Sequence, residues 1–212
     1  MNNKDVLIPI NDSIKLPGIL DIPKNSEAIV IFTHGSGSSR NSSRNLFVAR
    51  QLQNAGFSTL LFDLLTEEED RVYENRFDIP LLANRLEAAT KWLLKGKIMQ
   101  NFKIGYFGAS TGAAAAIIAA ANLGIKIKAI VSRGGRPDLA GQALENLHVP
   151  ILLIVGGDDL DVIRLNKQAS DLIPGETKIN IVPEATHLFE EPGKLEEVAK
   201  LAVNWFSKYL KK

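Results

Sequence analysis

Cysteine is absent from the 212 residues, which removes disulfides, iron–sulfur clusters, thiolate zinc sites and a cysteine nucleophile together. Neither sign of charge dominates: 25 basic and 24 acidic residues leave a net charge of +1, and no basic face with interleaved aromatics marks a nucleic-acid partner. Long apolar runs are missing as well. The longest small-apolar stretch, Gly112 to Ala121, is mostly alanine and too short to cross a bilayer, so it is expected as a buried helix. The start, Met1-Asn2-Asn3-Lys4-Asp5, has neither the positive segment nor the apolar core of a secretion signal; a cytoplasmic location with no membrane partner is the expectation. No repeat, low-complexity linker or insertion large enough for a cap interrupts the chain.

What is present is alternation. Apolar runs of strand length recur near residues 6–10, 14–22, 28–33, 58–63, 103–107, 127–132, 151–155 and 178–182, with helix-length segments between most of them. Helices are expected over 42–55, 79–95, 111–123, 137–144, 162–172 and 194–210. In the last of these, Leu195, Val198, Ala199, Ala202, Trp205 and Phe206 recur at spacings of three and four. The pattern predicts an α/β domain covering residues 1–212, with a mostly parallel eight-stranded sheet and helices on both faces. The first two strands should pair antiparallel across the short polar turn Asn11-Asp12-Ser13.

Four loops that follow strands hold the chemistry. Lys103 to Phe107 runs directly into Gly108-Ala109-Ser110-Thr111-Gly112 and then an alanine-rich helix, giving strand, G-x-S-x-G and helix in succession. A sharp turn of this kind needs glycines where side chains would collide, and it lifts Ser110 to the carboxyl edge of the sheet. The competing reading is an ordinary serine helix cap. A serine hydroxyl is a poor nucleophile at neutral pH, so the catalytic reading requires a base and a group that orients it.

Three histidines are available as the base. His187 lies after the last strand and before the final helix, where it can swing over Ser110. His148 falls at the wrong edge of the sheet, and His34 reads as a loop-shaping hydrogen-bonder. For the acid, Gly156-Gly157-Asp158-Asp159-Leu160-Asp161-Val162 follows the 151–155 strand and offers three aspartates, among which periodicity does not choose.

The fourth loop, Thr33-His34-Gly35-Ser36-Gly37-Ser38-Ser39-Arg40, admits a phosphate cradle, a slack linker or an oxyanion loop. Arg40 stands where a dinucleotide fingerprint needs its last glycine, and the preceding strand is third rather than first, which argues against a nucleotide.

Serine, aspartate and histidine in this order, with Thr33-His34-Gly35 ahead of them, resemble the α/β-hydrolase superfamily, and the cap-free build resembles its dienelactone-hydrolase-like branch. Dienelactone hydrolases use a cysteine nucleophile, where this chain has Ser110. The resemblance implies G-x-x-D-x-x-V for the acid, which fits Gly156, Asp159 and Val162 and selects Asp159 over Asp158. It further implies an oxyanion hole built from the Thr111 backbone N–H and a second N–H from Ser36. The expected activity is cleavage of small carboxylic esters or lactones through an acyl-enzyme, with no metal or organic cofactor required. Acyl transfer by the same triad, or a non-catalytic small-molecule receptor on this fold, are the alternatives. Arg40, Arg133 and Arg136, with Arg44, are expected to form a cationic rim for a substrate carboxylate or phosphate, against the competing reading of ion pairs with nearby acids.

Overall fold

The computed structural model describes residues 4–96 and 99–211; Met1 to Asn3 lie outside them. Among the described residues eight strands form one sheet in the order β1-β2-β4-β3-β5-β6-β7-β8. They are β1 (Lys4–Pro9), β2 (Lys15–Asp21), β3 (Ala28–Thr33), β4 (Ser58–Phe62), β5 (Lys103–Ala109), β6 (Ile127–Arg133), β7 (Ile151–Gly156) and β8 (Thr177–Val182). β2 pairs antiparallel with both β1 and β4, and every other pairing is parallel. The Asn11 carboxamide oxygen takes the Ser13 and Ile14 N–H groups at 2.9 and 2.8 Å and so closes the first hairpin.

The helices are α1 (Ser43–Asn54), α2 (Glu67–Asp70), α3 (Ile79–Lys95), α4 (Thr111–Leu123), α5 (Leu160–Leu172) and α6 (Lys194–Leu210). Period-two alternation along the strands divides the core between the two faces of the sheet. On β3, Ile29 and Ile31 join α3 and α4, while Val30 and Phe32 join α1 and α6. The apolar stripe of α6 docks so closely that a Cβ on Gly105 of β5 would stand 2.6 Å from the Phe206 ring. Among the described residues no helix is long and apolar enough to cross a membrane.

One expected helix is corrected. Residues 137–146 form 3-10 turns rather than an α-helix, because Gly141 adopts φ 55°, ψ −133° and breaks the ladder. Sequence periodicity also missed two small elements between β4 and α3. These are α2, whose Thr66 and Glu69 form a reciprocal capping box, and the 3-10 turn Tyr73–Phe77. Because successive parallel strands all end at the same edge, the loops after β3, β5, β7 and β8 gather there.

Candidate active site

The turn after β5 holds Ser110 at φ 50°, ψ −122°, a conformation that costs a non-glycine residue about 1–3 kcal/mol. Three contacts hold it there. Ser110 N–H donates to the Arg133 carbonyl at 3.2 Å, and the Ser110 carbonyl accepts from Ala113 N at 3.1 Å and Arg136 N at 3.1 Å. The flanking glycines are steric requirements. A Cβ on Gly108 would lie 2.5 Å from Ala113 Cα, and one on Gly112 would lie 2.4 Å from the Thr33 carbonyl oxygen. Ser110 precedes α4 without capping it through its side chain, so the helix-cap reading of this serine fails. Its hydroxyl faces His187 Nε2 at 3.3 Å instead.

His187 donates from Nδ1 to Asp159 Oδ2 at 2.7 Å, which puts the proton on Nδ1 and leaves Nε2 bare toward the serine. The carboxylate is shielded, at 17% side-chain exposure, whereas the imidazole is open to a substrate at 37%. The loops after β7 and β8 touch directly: Gly157 N donates to the Val182 carbonyl at 2.7 Å, and Asp158 N to the Ala185 carbonyl at 3.0 Å. Gly156 permits this crossing, since a Cβ there would meet the Ala185 carbonyl oxygen at 2.3 Å. Asp158 is exposed and contributes its backbone to the junction, while Asp159 turns its carboxylate to the ring.

His34 is buried and neutral in its role. Its Nε2 accepts the Leu64 N–H at 3.1 Å, which forces the proton onto Nδ1, where it reaches the Gly35 carbonyl at 2.9 Å. Burial lowers its pKa from the ordinary 6.5, against weaker opposing effects of the Gly35 hydrogen bond and of Asp63 and Asp70. The imidazole thereby ties the 33–40 loop to the loop after β4. Nothing in the sequence spacing revealed that tie; the adjacency of β3 and β4 creates it.

Ser36 and Thr111 are brought together, although not as expected. Ser36 N–H donates to the Thr111 hydroxyl oxygen at 2.9 Å. Of the arginines expected at a cationic rim, three are held by carboxylates. Arg40 binds Asp63 through both its backbone N–H and its guanidinium. Arg44 pairs with Glu190 at 2.6 Å, and Arg136 grips Asp138 through two bonds of 2.9 and 2.8 Å. Arg133 is 6% exposed and lies beneath the histidine loop, with Nη1 directed at the Leu188 carbonyl at 3.4 Å. Burial, reinforced by the nearby Arg44 charge, brings the Arg133 pKa down to about 10. Next to the 33–40 loop lies a cavity of about 220 Å³, and its Asp63, Glu67 and Asp70 side chains make that wall acidic. Among the described residues no cluster of three or more histidines or carboxylates could hold a metal ion.

The profile of the dienelactone hydrolase family matches residues 16–211. The chain belongs to that family. A crystal structure of dienelactone hydrolase from Anabaena variabilis superposes with a TM-score of 0.95 at 51% identity, covering 99% of this chain and 98% of that one. Est1E from Butyrivibrio proteoclasticus, at 18% identity, shares the fold with a TM-score of 0.82 over 98% of this chain and 99% of its own. Two Mycobacterium tuberculosis proteins, each called "Putative phosphoribosyl transferase", are 55% identical over 197 residues, covering 93% of this chain and 44% of theirs. The chain therefore spans less than half the length of those curated relatives. The family membership and the fold together make this chain a hydrolase-type protein of the α/β-hydrolase superfamily.

Proposed function

We infer that this chain is a serine hydrolase that cleaves small carboxylic esters or lactones through an acyl-enzyme. The observation that carries the reading is the continuous relay from Ser110 Oγ to His187 Nε2, and from Nδ1 to Asp159, at 3.3 and 2.7 Å on a strained turn. Ser110 Oγ attacks the carbonyl carbon while His187 Nε2 takes the hydroxyl proton. Asp159 keeps the ring in the right tautomer and stabilises the imidazolium. Collapse of the tetrahedral intermediate breaks the ester C–O bond, and His187 returns the proton to the departing alkoxide. Water then attacks the acyl-enzyme with His187 again as base, which releases the acid and restores Ser110.

With Arg40, Arg44 and Arg136 already bound to carboxylates, uncharged esters suit the site better than anionic ones. The test is turnover of a neutral ester panel combined with fluorophosphonate labelling. Label on Ser110, and loss of both label and turnover in Ser110→Ala, are expected; esterase activity surviving in Ser110→Ala refutes the mechanism. Product analysis with competing alcohols separates hydrolysis from acyl transfer.

The name of the mycobacterial relatives describes proteins with more than half their length outside the matched segment. We assign the transferase activity in that name to the unmatched part, and take a phosphoribosyl transferase as the kind of partner this hydrolase works beside. Consumption of a phosphoribosyl diphosphate donor by this chain alone would overturn that assignment.

A further inference from the structure

The second oxyanion donor is the weak point of the arrangement expected from sequence. The Ser36 N–H that should serve is already directed at Thr111 Oγ1, 2.9 Å away. Thr111 is 4% exposed and directly follows Ser110. Its hydroxyl oxygen accepts this one bond, and among the described residues nothing accepts its hydroxyl proton. A donor is therefore held in place beside the nucleophile with its hydrogen uncommitted.

Resting on the hydrolase reading, we propose that the Thr111 hydroxyl is a catalytic residue that donates to the developing oxyanion, with Ser36 N–H behind it as the first member of a relay. The relay runs from Ser36 N–H to Thr111 Oγ1, and from the Thr111 hydroxyl hydrogen to the carbonyl oxygen of the substrate. Three physical points support it. A hydroxyl that accepts a hydrogen bond is polarised into a stronger donor, by roughly 10–30% per bond in condensed phase. Turning Ser36 N–H toward the substrate would strip a buried oxygen of its partner, a loss that the relay avoids. A β-branched side chain at the first position of α4 has few χ1 wells, so the hydroxyl is preorganised rather than recruited. Thr111 also offers its own backbone N–H, one of the first four in the helix that lack an intrahelical acceptor. One residue then supplies two donors, and the 33–40 loop acts through it.

No atom is exchanged along the relay; the two hydrogen bonds shorten as negative charge builds on the carbonyl oxygen and relax when the intermediate collapses.

The test compares Thr111→Val, which keeps shape and removes the hydroxyl, with Thr111→Ser, which keeps the hydroxyl. Steady-state hydrolysis of a neutral aryl ester is measured for both. Thr111→Val should lower kcat about 100- to 1000-fold, the usual effect of deleting one oxyanion donor, with KM changed by no more than about threefold. Thr111→Ser should restore most of the loss, a rescue that a purely steric role for the threonine would not produce. If Thr111→Val proves unstable in a melting experiment, Thr111→Ala carries the same expectation, because alanine is the better helix former. A kcat for the hydroxyl-free variant within about threefold of the parent overturns the proposal, since Ser36 N–H must then serve the oxyanion directly. Failure of the hydrolase reading looks different: the unsubstituted chain itself neither turns over esters nor takes the fluorophosphonate.

Discussion

Substituting Gly112→Ala puts one methyl group into the seam between the Ser110 turn and the 33–40 loop. The new Cβ would stand 2.4 Å from the Thr33 carbonyl oxygen and 2.5 Å from that of His34, against an ordinary contact that begins at 3.4 Å. Both obstacles are backbone, so no rotamer relieves them, and the seam must open by about 1 Å. Overpacking of this kind costs about 1–3 kcal/mol, offset by about 1 kcal/mol from the higher helix propensity of alanine, for a net loss of about 0–2 kcal/mol. Catalysis should suffer more. The opened seam carries Ser36 on one side and Ser110-Thr111 on the other, and a misplacement of about 1 Å in a reacting constellation lowers turnover by roughly 100-fold. Urea unfolding and steady-state ester hydrolysis read the two effects separately. Gly56→Ala is the control: its φ is 87° and a Cβ there meets nothing within 4 Å, so it should lose about 1–2 kcal/mol from backbone strain while its kcat stays unchanged. A Gly112→Ala protein with parental stability and parental kcat, or one whose kcat falls only as far as Gly56→Ala lowers it, would refute the steric account.

Asp159→Asn should lower kcat by about 10⁴ by reversing the preference for the productive histidine tautomer, while the exposed Asp158→Asn stays within about threefold; equal losses would reject Asp159 as the acid. Folded His34 is harder to protonate than its unfolded form with pKa 6.5, so the unfolded state binds the extra proton first. Stability is therefore full above pH 6.5 and falls below it by up to about 1.4 kcal/mol per pH unit until the folded pKa is reached. His34→Gln should flatten that slope in urea titrations below about pH 6.5, and an unchanged slope would assign the acid sensitivity to another group. Arg133 is a buried cation with no ion-pair partner among the described residues and no partner for its Nε. Arg133→Met should thus leave stability unchanged or raise it by about 1–4 kcal/mol; a loss of about 3 kcal/mol or more in thermal melts would mean that the guanidinium is compensated after all.

The elements that could be read from sequence are those in which every residue obeys one period. Ala28 to Phe32 is apolar throughout because both faces of β3 are covered, and α6 announces itself through a single stripe from Leu195 to Phe206. The helix expected over 137–144 misled because its pattern runs through Gly141, whose positive φ is a property of the folded chain and not of the period. At the site, residue types and chain order pointed to Ser110, His187 and the 158–161 turn, which the fold brings to one edge. What stayed hidden depended on direction and pairing. Arg44 meets Glu190 across 146 positions, and which way the Thr111 hydroxyl turns is a rotamer that no spacing encodes. Charge can be counted along a chain, but whether it is free can be judged only once strands have chosen their neighbours.

The order of strands also sets an order of failure. Ser110 and the Ser36 loop follow β5 and β3, each hydrogen-bonded to a neighbour on both sides, whereas His187 follows β8, which pairs only with β7 and is largely half-buried or exposed along its length. Local opening is easiest where a strand has one neighbour and water on its other side. Under mild denaturant the base should leave before the nucleophile turn melts, producing a protein with most of its sheet intact and a chemically idle serine. On the proposed mechanism the edge of the sheet would act as a fuse: activity should disappear first, while the central strands stay paired.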